Sequence, residues 1–256
     1  MNTEEKLEAV NRDWSEAAEN YARIVKDEEE SFRVAAFQDL ILRNTPQSEN
    51  LTVLDTGCGP GFFTALLAQV GCNVVGIDGA DGMLEKAAEN LKAKGLSAQL
   101  MKMDCHHLEF ADNTFDLAVS RNVTHALEDS AQVYREWLRV LKPGGVLLVF
   151  DANWHLPQID GSFREEHQLD VKRCIETFGS DFNGNTSYEM YLKQSEGFRD
   201  SHPLGDLQRP DYDVGILKAL GYREISYERD VTETIWDDKE KCIYRKTPMF
   251  LIRAVK

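Results

Sequence analysis

Cysteine is scarce in this chain, and cations are outnumbered. The five cysteines, Cys58, Cys72, Cys105, Cys174 and Cys242, are odd in number and form no C-x-x-C pair. That usage suits a reducing cytoplasm and excludes a disulfide scaffold. No run of about 18 apolar residues exists, so no membrane span is expected. The amino-terminal stretch Met1 to Lys6 is polar and acidic, without the apolar segment that a secretory signal needs. Internal repeats and low-complexity tracts are missing as well.

Lys and Arg total 29 against 44 Asp and Glu, a formal net charge of −15. A protein that grips nucleic acid must neutralise phosphates with Lys and Arg, and an acidic surface repels that polyanion. The densest cationic stretch, Lys239 to Lys246, is interrupted by Glu240. A small molecule or a protein is therefore the better partner. The 42% hydrophobic content is ordinary for a globular protein, and 256 residues suffice for one large α/β domain, with or without an insertion.

What the chain does have is Leu51-Thr-Val-Leu-Asp55-Thr-Gly57-Cys-Gly59-Pro-Gly61. An apolar, β-branched run ends in an aspartate, glycines follow at alternate positions, and a helix-compatible run, Phe62 to Val70, comes next. Glycine lets a ligand lie against bare backbone, and a strand-to-helix turn lies at the carboxyl end of a sheet strand, where open α/β folds bind ligands. The dinucleotide pattern G-x-G-x-x-G does not fit, because the third glycine falls one residue early and Phe62 takes its place. A Walker loop is excluded, since no Gly-Lys-Ser/Thr follows.

Further strand ends carry acids. Asn73 to Ile77 ends at Asp78, Ala98 to Met103 ends at Asp104, and Thr114-Phe115-Asp116 opens a fourth strand. Val140-Leu-Lys142-Pro143-Gly144-Gly145 then turns into an apolar fifth strand ending at Phe150. Pro143 is expected to stop the preceding helix, with Lys142 near that helix's carbonyl end. With its D-x-G-x-G-x-G loop, this series resembles the class I S-adenosylmethionine-dependent methyltransferases, of the type 11-like group, closely over Leu51 to about Asn153. The resemblance implies S-adenosyl-L-methionine as cofactor and a Rossmann-like, doubly wound α/β fold of about seven strands. It places Asp55 toward the cofactor's methionine end and ammonium, Gly57 and Gly59 along its path, Asp78 at the ribose, and Asp104 at the adenine amine. Met83 would pack on the base, with Cys105 and Asn122 as further cofactor contacts.

The flanks are organised around that core. Residues 1–45 read as a helical lid, with Leu7, Val10, Trp14, Ala17, Tyr21 and Ile24 at helical spacing. Tyr21, with Trp14, either closes over the cofactor, as the resemblance implies, or packs the helix on the core. The acidic run Asp27 to Glu30 marks a solvated face or a break. Residues 51–153 form the cofactor-binding core and 154–211 a cap-like insertion, too long for a simple connector. Residues 212–256 supply a helix and the last strands, all within one domain.

Methyl transfer requires positioning more than it requires a triad of catalytic side chains. Acceptor-facing residues are expected from Arg121–His125, from Asp151–His155 and from the insertion, with His125 the best-placed base because imidazole titrates near neutral pH. Trp154 either walls that pocket or anchors the insertion. His106 and His107 beside Cys105 lack zinc-ligand spacing, so no metal is expected. Two alternatives stay open: a regulatory protein that binds the cofactor without transfer, and an enzyme moving another cofactor-derived group.

Overall fold

The computed structural model describes residues 3–45, 50–127, 129–181, 184–190 and 208–256. Helices α1 (Thr3–Glu29) and α2 (Arg33–Arg43) precede β1 (Thr52–Thr56), α3 (Phe62–Gln69), β2 (Asn73–Asp78), α4 (Asp81–Ala93) and β3 (Gln99–Lys102). Next come β4 (Phe115–Arg121), α5 (Ser130–Val140), β5 (Leu141–Asp151), α6 (Leu156–Ile159) and α7 (Gly161–Phe178). The chain continues through α8 (Asp211–Leu220), β6 (Arg223–Glu228), α9 (Thr232–Ile235), α10 (Asp238–Ile243) and β7 (Phe250–Val255).

Seven strands form one sheet in the order β3-β2-β1-β4-β5-β7-β6. β1 to β5 pair in parallel, whereas β7 runs antiparallel between β5 and β6. Side chains alternate across each strand, so one strand feeds two cores. Val146, Leu148 and Phe150 of β5 join Phe37, Phe62 and Phe63 in one cluster, while Leu147 and Val149 join Trp137 and Leu217 on the opposite face. The strand order reverses between β1 and β4, and open α/β sheets hold ligands in the crevice beyond the strand ends at such a reversal.

One local reading is corrected. Helix α5 ends at Val140, just before β5 begins at Leu141, and Lys142 Nζ pairs with Asp116 (2.8 Å), so Lys256, not Lys142, donates to the helix-end carbonyl of Arg139 (2.9 Å). The acidic run Asp27 to Glu30 marks the break between α1, which ends at Glu29, and α2, which begins at Arg33, and it is not wholly solvated. Glu28 is buried, and Glu29 accepts from Asn90 (2.8 Å) and pairs with Lys94 (3.3 Å). Of the expected insertion, α6 and α7 are seen, while residues 182–183 and 191–207 lie outside the described residues. Among the described residues no helix is long and apolar enough to cross a membrane.

Candidate functional site

The glycine loop leaves β1 at the reversal. Gly57 has φ +65°, and a Cβ there would stand 2.4 Å from Val123 Cγ2, so any side chain would be strained and would force Val123 to shift. Gly59 donates its N–H to Asp78 Oδ2 (2.9 Å), and Ala80 donates to Asp78 Oδ1 (2.9 Å). The carboxylate at the end of β2 is thereby locked against the loop. Burial raises the Asp78 pKa further than these two N–H groups lower it.

Beside this loop opens a cavity of about 710 Å³. Gly57, Gly59, Asp78, Met83, Asp104 and Cys105 line it together with Tyr21 and Asn122, so eight of the predicted residues meet at one concavity. Asp104 Oδ1 accepts the N–H of His106 (2.9 Å) and faces its Nδ1 (2.7 Å). Burial pushes Asp104 up, but the His106 contacts outweigh it and leave the pKa lowered. Burial, with Asp104 adding to it, holds the Cys105 thiol far above its usual range, so it lines the wall as a neutral group. Donor atoms of Asp104, Cys105 and His106 lie within 4.8 Å of one another, yet Asp104 and His106 are already engaged with each other.

Asn122 carries two marks of a functional position. Its φ is +56°, rare for a residue with a side chain, and its Oδ1 is buried without a hydrogen-bond partner among the described residues. A buried acceptor left unpaired costs about 1–3 kcal/mol, so such an atom in a cavity wall points to a ligand donor.

Helix α1 roofs the cavity with Leu7, Val10, Asn11, Trp14 and Tyr21, and Trp14 and Tyr21 meet edge to face at 6.1 Å. Besides lining the cavity, the two rings pack against buried Ala18, Ala80 and Met83, as the core-packing reading expects. The close approach depends on the turn after β2. A Cβ on Gly79 would lie 2.4 Å from Asn11 Oδ1, and one on Gly82 would lie 2.7 Å from the Ser15 carbonyl. At its far end α1 is held by Glu28, which accepts from both terminal nitrogens of Arg121 (3.1 and 2.8 Å). The Arg121 guanidinium also lies 4.4 Å from the Phe62 ring centre.

Asp55 sits behind the main cavity, lining a void of about 20 Å³ whose walls include Tyr21, Gly57, Gly59 and Arg121. Its Oδ2 accepts from Thr64 Oγ1 (2.6 Å), and burial pushes its pKa up to about 6 against that bond. A cationic group arriving there would favour the carboxylate.

His125 is not among the cavity's lining residues. Its Nδ1 lies 3.0 Å from Asp151 Oδ1, and its ring centre is 5.3 Å from that of His155. Asp151, expected at an acceptor pocket, is instead wholly buried. It accepts from Thr124 Oγ1 (2.6 Å), the His125 N–H (2.8 Å), Trp154 Nε1 (3.0 Å) and Arg209 (3.1 Å). Burial opposes this charge, but His125 and Arg209 outweigh it and hold Asp151 far below the usual carboxylate range. Trp154 is an anchor here, packed with Trp236 (6.1 Å) and Tyr244 (5.2 Å).

Sequence reasoning missed the Glu28–Arg121 pair and the part of Arg209. Nothing local marks either one. Asn11, Met103 and Gln132 also line the cavity and were not singled out; the helical stripe that carries Leu7, Val10 and Trp14 was legible, but not what it faces.

A family description reading "Methyltransferase domain" matches residues 54–149. An uncharacterized methyltransferase of Mycolicibacterium gilvum is 30% identical over 203 residues, which cover 75% of this chain and 79% of that protein. Sterol 24-C-methyltransferase of Kluyveromyces lactis is 32% identical over 135 residues, 52% of this chain and 36% of that one. The chain spans well under half the length of the sterol methyltransferases it matches. Among solved structures, phosphoethanolamine N-methyltransferase 2 of Haemonchus contortus, in complex with S-adenosyl-L-methionine, superposes with a TM-score of 0.59. It is 21% identical, the match covers 86% of this chain and 52% of that one, and the likeness is one of fold.

Proposed function

Because the chain belongs to the S-adenosylmethionine-dependent methyltransferase family, we propose that it binds S-adenosylmethionine in the cavity beneath α1 and transfers its methyl group to a small molecule. The observation that carries the reading is the wall itself: Asp78 locked to the glycine loop, and Asn122 Oδ1 buried and unpartnered beside it. Asp78 would take the ribose hydroxyls, Asp104 and Met83 the adenine, and Asp55 the ammonium, with Gly57 and Gly59 along the backbone path. Cys105 and Asn122 would complete the wall, and Tyr21 and Trp14 would close it as a lid.

The cofactor supplies an activated methyl when bound. The protein's own part is alignment and exclusion of water, worth about 7–11 kcal/mol when reacting groups are held in near-attack geometry. The roof formed by α1 supplies the exclusion. His125, which does not itself line the cavity although its neighbours Val123 and Ala126 do, is the proposed base. Its Nδ1 on the Asp151 carboxylate makes Nε2 the basic nitrogen, an arrangement worth about a hundred- to ten-thousand-fold where the acceptor arrives protonated.

A small acceptor agrees with the net charge of −15, which disfavours nucleic acid, and with a cavity of about 710 Å³, within the ~300–1,000 Å³ typical of small-ligand sites. The similar proteins carry names of enzymes for sterols and phosphoethanolamine, both small molecules.

Titration calorimetry with S-adenosylmethionine and S-adenosylhomocysteine tests the cofactor. Asp78→Ala removes charge-assisted bonds worth about 1.5–3 kcal/mol, so affinity falls about ten- to a hundred-fold; unchanged affinity refutes the ribose assignment. Release of S-adenosylhomocysteine in the presence of candidate small molecules tests transfer. His125→Ala then lowers the rate and leaves cofactor affinity intact, and transfer at the parent rate removes the base. Binding without any turnover would favour the regulatory alternative.

A further inference from the structure

Cys174 and Cys242 are far apart in sequence, yet the fold brings them together. Cys174, on α7, is buried with Val171 and Ile243, and Cys242, on α10, packs against the same cluster while remaining half-buried. Cys174 Sγ lies 3.8 Å from the carbonyl of Lys239, on the α10 turn before Cys242, and 3.6 Å from the carbonyl of Ser180. Helices α7 and α10 pack on each other, so the two cysteines belong to one cluster. The other three cysteines lie elsewhere: Cys58 in the glycine loop, Cys72 between α3 and β2, and Cys105 at the cavity.

We propose that Cys174 and Cys242 are a peroxide-responsive dithiol that closes to a disulfide and staples α7 to α10. The pair is unequal, which gives the order of events. Burial, with Cys242 next, pushes the Cys174 thiol up to about 11, so it stays protonated at neutral pH. Half-buried Cys242 reacts first. Its thiolate attacks one oxygen of hydrogen peroxide, the O–O bond breaks, and the departing hydroxide takes up a proton to leave as water, giving a sulfenic acid. The Cys174 sulfur then attacks the sulfenic sulfur. The S–O bond breaks, the Cys174 proton leaves with that hydroxide as a second water, and the disulfide forms. In total two thiols lose two electrons and two hydrogens, and one peroxide is reduced to two waters. Dithiothreitol reverses the bond.

The staple joins the connection between β5 and α8 to the connection between β6 and β7, and it includes none of the residues assigned to the cofactor. The proposal therefore stands apart from the transfer reaction. To test it, the full chain is treated with one to a few equivalents of hydrogen peroxide, free thiols are alkylated, and the digest is read by mass spectrometry. The expected result is loss of two of the five free thiols and a Cys174–Cys242 cross-linked peptide that dithiothreitol removes. The oxidised protein should also melt at a higher temperature than the reduced one, a gain absent in Cys242→Ser. Cys174→Ser should accumulate a sulfenic acid on Cys242 that dimedone traps. A peptide linking either cysteine to Cys58, Cys72, Cys105 or a second chain overturns the proposal. So does over-oxidation of Cys242 with no cross-link in the parent protein, a reading that requires no variant to fold.

Discussion

Replacing Arg209 with Met tests the buried charge network that ties the segment before α8 to the end of β5. The guanidinium is almost fully buried and donates to Asp213 Oδ2 (2.8 Å), Asp213 Oδ1 (3.0 Å) and Asp151 Oδ2 (3.1 Å), and also to Thr124 Oγ1. Asn153 brackets the same residue's backbone, accepting from its N–H (3.2 Å) and donating to its carbonyl (3.0 Å). Methionine keeps much of the volume but leaves two buried carboxylates without their shared cation. Breaking a buried pair by removing one partner costs about 3–5 kcal/mol, against about 0–1 kcal/mol for an exposed pair. In a chain of this size each kcal/mol moves the melting midpoint by about 2–4 °C, so a fall of roughly 6–20 °C is expected. The pH dependence sharpens the test. The lowered pKa of Asp151 contributes stability at neutral pH that is lost only as pH falls through the folded-state value. Without Arg209 that folded-state value moves up, because burial is then opposed mainly by His125. The variant therefore takes up a proton at a higher pH than the parent, and its deficit narrows as pH is lowered from 7 toward 4. Urea unfolding at several pH values, with unchanged m, is the assay. A loss below about 1 kcal/mol, or a deficit independent of pH, refutes the reasoning. Adding Asp213→Asn should recover part of the loss by removing one uncompensated charge.

Gly57→Ala combines a left-handed backbone, φ +65°, with a Cβ placed 2.4 Å from Val123 Cγ2. A cost of about 1–3 kcal/mol and a clear loss of S-adenosylhomocysteine affinity should follow, and parent-like binding by calorimetry would show the loop tolerates a side chain. Asp55, at about 6 in the folded chain against an ordinary 3.8, holds more protons folded than unfolded between those values. Stability from this group is therefore present below about 4 and lost as pH rises through about 6; Asp55→Asn should flatten that part of the stability–pH curve. Since ionised Asp55 is the form that would pair with the cofactor's ammonium, affinity should also climb through about pH 6 in the parent and not in the variant.

The sheet and its glycine loop were readable because their signals are local. Alternating apolar residues, a run-ending aspartate at Asp55, Asp78 and Asp104, and left-handed glycines such as Gly57 all express constraints that a few neighbouring residues impose on one another. Burial on both sides of a parallel strand demands continuous apolar stretches, and these stand out in any linear reading. Tyr21, Met83 and Asn122 were nominated through the resemblance to the methyltransferase family, Met83 near the start of α4 and Asn122 just past β4. The partners of charged groups could not be read that way. Glu28 looked like a member of a solvated acidic run, and only folding across the top of β4 gave it Arg121 and took both from water. Asp151 looked available to an acceptor until Thr124, His125, Trp154 and Arg209 converged on it. Cys174 and Cys242 looked solitary until α7 packed on α10. A helix periodicity states that a stripe will be covered, but not by what, and a charge states that it needs a partner, but not which one. Hydrophobic pattern thus sufficed for the architecture, whereas pairing between distant charged and thiol groups was decided by the tertiary structure, because it depends on distances that no local spacing encodes.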